Sequence, residues 1–234
     1  MAYQFESRIR YSETDQKQKL SLCSLVDYFQ DCSTFQSEAL GIGIEYLKKQ
    51  KRVWMVLSWQ IEILRRPMLG ESVIVQTWPY SFRAFYGNRN FALLDADKNY
   101  LAKANSVWVL MDTETGRPAK PTPEQLAGYE MEEPLEMEYT SRKLAVEGSG
   151  ERLEPFTVGR QHLDSNHHVN NGQYIYMAEE YLPETFEVHK LKVEYRKQAH
   201  LHDRIVPVIY KRPDGFMVSL CDETEQPYAV IDFK

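Results

Sequence analysis

Asp164, Asn166 and His168 stand at alternate positions in the run Asp-Ser-Asn-His-His-Val-Asn-Asn, residues 164–171, directly ahead of the apolar-periodic stretch Tyr174, Ile175, Ala178, Tyr181 and Leu182. A carboxylate, an amide and an imidazole so close to a helix start can activate water and polarise a carbonyl at one spot. The backbone N–H groups that open the helix after Val169 are expected to stabilise an oxyanion there, helped by the helix dipole. Asn170 and Asn171 read as helix caps. His162 and His167, which flank the motif, read as capping or exposed residues.

The elements that must position these groups emerge from an internal repeat. Residues 15–31 overlay residues 164–180 at an offset of 149, so that Leu25 and Val26 fall on Tyr174 and Ile175. Residues 61–74 overlay residues 193–206 at an offset of 132, and Leu93, Leu94 and Asp95 overlay Leu220, Cys221 and Asp222 at 127. In the first copy Leu22, Leu25, Val26, Phe29, Phe35, Ala39 and Leu40 form a helical stripe. Strand patterns follow at residues 59–63, 73–78, 88–94 and 102–110, broken by Pro67, Gly70, Pro79 and a turn at residues 95–99. The connections are mostly too short for parallel crossovers, so the sheet is expected to be antiparallel. One helix cradled by such a sheet is the hot-dog arrangement. Two copies predict an α+β double hot-dog fold, with a first domain at 1–128, a linker at 129–153 and a second domain at 154–234. The Pro- and charge-rich stretch 113–154 is expected to hold a short helix at Pro123–Ala127 and to lie partly along the sheets.

The repeat also acts as an internal control. Opposite Asp164, Asn166 and His168 stand Asp15, Lys17 and Lys19. The aspartate reads as a turn or helix-entry residue common to both copies. The amide and imidazole are not required by the fold and therefore read as chemistry.

Composition narrows the class. The chain has 234 residues, 43% of them hydrophobic, and a net charge of −6, which argues against nucleic-acid binding. Cys23, Cys32 and Cys221 lack metal-ligand spacing and read as reduced thiols of a cytoplasmic protein. No cofactor or metal site, signal peptide or membrane span is expected.

Five motifs in order carry a resemblance: the Asp164–Asn171 run with its helix, WMVLSWQIEI at 54–63, SVWVLMD at 106–112, ERLEPFTV at 151–158 and VEYR at 193–196. Together they resemble the acyl-(acyl carrier protein) thioesterases of plants and bacteria. The resemblance implies an enzyme that hydrolyses the thioester of a fatty acyl chain on acyl carrier protein and so ends fatty-acid synthesis. It also implies that the second copy is catalytic and that the first holds the acyl chain. Asp164, Asn166 and His168 become the catalytic group, with Asp164 either general base or nucleophile, Asn166 orienting the attacking group and His168 hydrogen-bonding the reacting group or assisting thiol departure.

Gln198 falls where the family has an acidic residue and Ala199 where plant members have cysteine. Gln198 can position a water but cannot take its proton. Glu194, on the same strand face, reads as structural because Glu62 holds its place in the first copy, and Cys221 reads as core packing. Trp54, Met55, Leu57 and Trp59 are candidates for the acyl-binding surface, although core packing explains the run equally well. Acyl carrier protein is the implied partner. Its docking would use local positive patches at Lys48, Lys49, Lys51 and Arg52, at Arg65 and Arg66, or at Arg196 and Lys197, each of which also reads as an ordinary solvated face. Competing readings are an acyl-coenzyme A thioesterase, a hot-dog dehydratase, and an acyl-binding protein without catalysis; self-association as a homodimer is open.

Overall fold

The computed structural model describes residues 2–234. The chain divides into two compact units, residues 1–140 and 141–234. The stretch expected as a linker, 129–153, is thus shared between them.

In the first unit, β1 (Tyr3–Arg8), β2 (Arg52–Ile63), β3 (Ser72–Arg83), β4 (Tyr86–Asp95) and β5 (Tyr100–Asp112) form an antiparallel sheet in the order β1-β3-β4-β5-β2. Helix α1 (Leu22–Ala39) starts at Ser21, whose hydroxyl accepts the Ser24 N–H at 3.1 Å. Its buried residues Leu22, Leu25, Val26, Phe29, Cys32 and Gln36 recur at helical spacing and face the sheet. Phe29 packs on Phe91 at 5.3 Å and on Trp59 at 6.1 Å between ring centroids. Each such ring contributes about 2–3 kcal/mol through its burial. Short α2 (Ile44–Lys49) leads into β2, and α3 (Pro123–Ala127) forms where the sequence predicts it, capped by Thr122.

Two expectations need correction. Pro79 does not end its strand: β3 runs on to Arg83, and the register shifts between Pro79 and Ser81. A bulge accommodates the missing N–H, and the strand continues beyond it. In the second unit, α4 (Asn171–Glu179) stops before Tyr181 and Leu182. Pro183 follows closely and disfavours helical backbone at the residue before it, so the second helix is half as long as the first.

The second unit contains β6 (Glu151–Arg152), β7 (Phe156–Thr157), β8 (Lys190–Tyr195), β9 (Arg204–Arg212), β10 (Gly215–Cys221) and β11 (Pro227–Phe233), ordered β8-β11-β10-β9-β6 with β7 also on β9. Tyr174, Ile175, Met177 and Ala178 are the buried side of α4.

The connecting stretch lies on both sheets. In the first unit the Trp78 indole donates to the Glu133 carbonyl at 3.0 Å and Leu135 N–H donates to Asn90 at 3.1 Å. In the second, Leu144 N–H donates to the buried Glu194 carboxylate at 2.9 Å. Among the described residues no helix is long and apolar enough to cross a membrane.

Candidate active site

A single turn of 3-10 helix (Arg160–His162) and an isolated bridge between Leu163 and Val169 bring the chain into the loop 164–168. Asp164 Oδ1 accepts the N–H of Asn166 at 2.8 Å and of His168 at 3.2 Å, while Asp164 N–H donates to the His168 carbonyl at 2.8 Å. This closes an Asx-type turn that Asp makes readily. The turn requires a left-handed residue, and His167 takes it at φ 62°. With Oδ1 so occupied, Oδ2 is the oxygen left for chemistry. It sits 3.5 Å from the Asn166 side-chain amide nitrogen.

The first unit builds the same turn. Asp15 Oδ1 accepts the N–H of Lys17 at 2.8 Å and of Lys19 at 3.0 Å, and Gln18 sits at φ 60°. There, however, Asp15 Oδ2 is clamped by the Arg66 guanidinium at 2.8 Å, and Leu69 N–H donates to the Gln18 carbonyl. The offset of 132 puts Gln198 in the place of Arg66. Gln198 is exposed and its side chain makes no hydrogen bond among the described residues. Among the described residues no cation clamps Asp164 there. The site is therefore the shared turn with its arginine removed.

His168 is half-buried, and its ring meets the His200 ring edge to face at 4.9 Å between centroids. Burial holds the His168 imidazole below its ordinary protonation range; His200 and His167 add to this and Asp164 opposes it. It is thus a neutral imidazole near pH 7, able both to accept and to donate a hydrogen bond. His200, which sequence reasoning passed over, belongs to this cluster. Its N–H donates to Asp203 Oδ2 at 2.9 Å and its ring Nδ1 lies 3.7 Å from that oxygen, which also accepts from Tyr228 at 3.3 Å. The signal was present in the repeat, because the offset that pairs Gln198 with Arg66 pairs His200 with Met68.

Three of the N–H groups around the start of α4 are already used. Asn170 N–H donates to the His162 carbonyl, Gly172 N–H to Asn170 Oδ1 at 2.8 Å and Gln173 N–H to the Asn170 carbonyl. The helix start is capped by Asn170, and these groups cannot form the expected oxyanion site without breaking the cap. Glu194 is a structural group: it is buried, receives Leu144 N–H and pairs with Arg196 at 2.8 Å. His162 accepts the Gly159 N–H at 3.0 Å. Cys221 is buried, with its thiol beside the Ser219 hydroxyl, and burial raises its pKa.

The apolar candidates divide. Trp59 is sealed into the core at 1% exposure, while Trp54, Met55 and Leu57 are half-buried on β2, where the register shifts between Val56 and Ser58. The basic patches are largely neutralised within the chain. Lys48 pairs with Glu45, Lys51 with Glu114, Arg52 with Asp112, Arg65 with Glu71, Arg66 with Asp15, Arg196 with Glu194 and Lys197 with Asp222. Their charges are not simply presented to a partner.

The fold and this loop define a tandem hot-dog protein with a carboxylate–amide–imidazole cluster in its second unit. Residues 1–129 match the family model of the acyl-ACP thioesterase N-terminal domain, and residues 148–227 match that of the C-terminal domain. The chain belongs to the acyl-ACP thioesterase family. It is 27% identical over 207 residues to the chloroplastic acyl-(acyl-carrier-protein) hydrolase FATB3 of Cuphea viscosissima, covering 82% of this chain and 50% of that protein. To the chloroplastic palmitoyl-acyl carrier protein thioesterase of Cuphea hookeriana it is 29% identical over 178 residues, 71% of this chain and 43% of that one. The chain therefore spans about half the length of these plant relatives. Its fold is that of an acyl-ACP thioesterase from Bacteroides thetaiotaomicron (TM-score 0.91, 22% identity, 99% of this chain and 96% of that chain). It also matches the 12:0-ACP thioesterase from Umbellularia californica (TM-score 0.85, 18% identity, 100% and 96%).

Proposed function

We propose that the chain is a thioester hydrolase that releases free fatty acid from acyl carrier protein. One observation carries this reading: the Asp164 turn repeats the Asp15 turn, but Gln198 replaces the arginine that would neutralise the carboxylate, and an imidazole has been added beside it. Asp164 Oδ2 acts on the thioester carbonyl directly or through a water, and Asn166 orients the attacking oxygen. Net, an O–H bond of water breaks as its oxygen joins the carbonyl carbon, the C–S bond breaks, and that proton passes to the sulfur, which leaves as the thiol. Neutral His168 hydrogen-bonds to the departing sulfur.

The first unit would hold the acyl chain, with the half-buried apolar residues of β2 as candidates for its lining. The protein would act in the cytoplasm; its three cysteines are buried thiols outside any disulfide, in keeping with a reducing compartment.

The test is release of free thiol from acyl carrier protein loaded with chains of graded length, beside the matched acyl-coenzyme A series and the Asp164→Asn variant. Carrier-dependent hydrolysis that vanishes in the variant is expected. Equal turnover of coenzyme A thioesters would remove the carrier from the proposal, and acyl binding without hydrolysis would remove the enzyme.

A further inference from the structure

Hydrolysis at this site needs a group that takes the proton of water, and the position best placed for it holds an amide. In the first unit the residue opposite Gln198 reaches the turn carboxylate at 2.8 Å, so by the repeat position 198 corresponds to a residue within reach of Asp164. Gln198 can hydrogen-bond a water there but cannot carry its proton away. Asp164 spends Oδ1 on two backbone N–H groups, which leaves Oδ2 to hold the attacking water.

We propose that His200 is a further catalytic residue, the base that accepts the proton of the attacking water; this rests on the thioesterase reading above. His200 follows Gln198 by two residues, and its ring meets His168, so it lies at the Asp164–His168 loop. Its ring Nδ1 lies 3.7 Å from Asp203 Oδ2, and that carboxylate is itself fixed by the His200 N–H and the Tyr228 hydroxyl. A carboxylate on the Nδ1 side favours the tautomer whose Nε2 lone pair is available. The charged and titratable groups around the ring are His168, Asp203, Tyr228 with Lys197 stacked on it, and, across His168, Asp164 and His167.

The repeat separates scaffold from chemistry here as well. In the first unit Met68 N–H donates to Glu71 at 3.0 Å, the counterpart of the His200 N–H bond to Asp203. The carboxylate that pins this turn is thus a requirement of the fold, whereas the imidazole is present in the second unit alone. Balance is simple. A water O–H bond breaks and its proton passes to His200 Nε2, the water oxygen bonds to the carbonyl carbon, the C–S bond breaks, and the imidazolium returns its proton to the thiolate.

The experiment compares kcat and KM for one acyl-carrier-protein substrate in the wild type, His200→Met, Gln198→Glu and the double variant. Methionine is the residue that the first unit accommodates at this turn, so the variant is chosen to fold; circular dichroism checks it, and His200→Gln serves in its place if it does not. The expected result is a fall in kcat of about 100-fold with KM within about threefold, the size of a lost general base. Adding Gln198→Glu should restore most of that loss, because a carboxylate at 198 supplies the missing base. Wild-type kcat in His200→Met, or a loss that Gln198→Glu does not restore, would overturn the role of His200 while leaving the thioesterase reading intact. An inactive wild type would overturn both.

Discussion

Residues 15–19 and residues 164–168 trace one turn twice, with the same aspartate, the same pair of N–H donors and the same left-handed fourth residue. In the first unit the turn is closed: Arg66 clamps the spare carboxylate oxygen and Leu69 N–H pins the Gln18 carbonyl. In the second both restraints are absent among the described residues, and His168 and His200 stand where Lys19 and Met68 stand in the first. The comparison teaches that the aspartate was there for the turn. The second unit's carboxylate differs by a subtracted cation and added imidazoles, on a scaffold that the backbone already supports.

Breaking the comparison at its centre should have the largest effect. Asp164→Asn keeps an oxygen for the turn but loses the charge, and thioester hydrolysis should fall about 1,000-fold or more, the loss of a carboxylate that acts on the carbonyl directly or through its attacking water. Asp15→Asn, assayed alongside, should leave the rate near wild type and lower only the melting temperature.

Gln198→Arg would write the first unit's clamp into the second. An arginine that pairs with Asp164 should lower kcat about 100-fold, with stability held or raised, because the ion pair occupies the carboxylate oxygen that the reaction uses. The reciprocal Arg66→Gln should cost about 1 kcal/mol in a denaturant melt and leave kcat unchanged, as its ion pair with Asp15 is partly buried.

The helices sharpen the contrast at a smaller scale. Asp27 on α1 has Tyr176, an exposed residue, as its counterpart in α4. Burial raises the Asp27 carboxyl from 3.8 to about 6, with Asp31 and Glu13 adding to it while the Cys23 thiol opposes. The folded state thus prefers the neutral acid. The destabilisation is absent below about pH 4, grows as pH rises through the interval from 4 to 6, and is complete above it. Asp27→Asn should therefore stabilise the protein by about 1–2 kcal/mol at neutral pH and hardly at all at pH 4, measured by melts at both.

The smallest effect concerns His168. Its folded protonation lies below the ordinary histidine value, so there is no penalty at neutral pH. Stability is lost as pH falls from that ordinary value through the lowered one. His168→Gln should flatten this acid limb in melts taken from pH 7.5 down to 5.

Much of the site was legible in the sequence because it is local. Asp164, Asn166 and His168 lie within five residues, and the turn that joins them depends on backbone bonds that Asp makes with its neighbours. The repeat, the helix start at Asn170 and the alternating strands are likewise short-range patterns. The second helix was read too long because Tyr181 and Leu182 continue the apolar period. Only the competition with Pro183 ends it.

By itself, then, the sequence determined the two-copy plan, the turn and the side chains that the turn carries, since periodicity and Asx chemistry act over a few residues. Tertiary structure alone decided two things. It brought His200 against His168, with Asp203 and Tyr228 behind His200, and it assigned Glu194 to holding the Leu144 segment. These are contacts between residues far apart in the chain or choices among competing hydrogen-bond partners, and such choices are fixed only when packing sets which donor meets which acceptor.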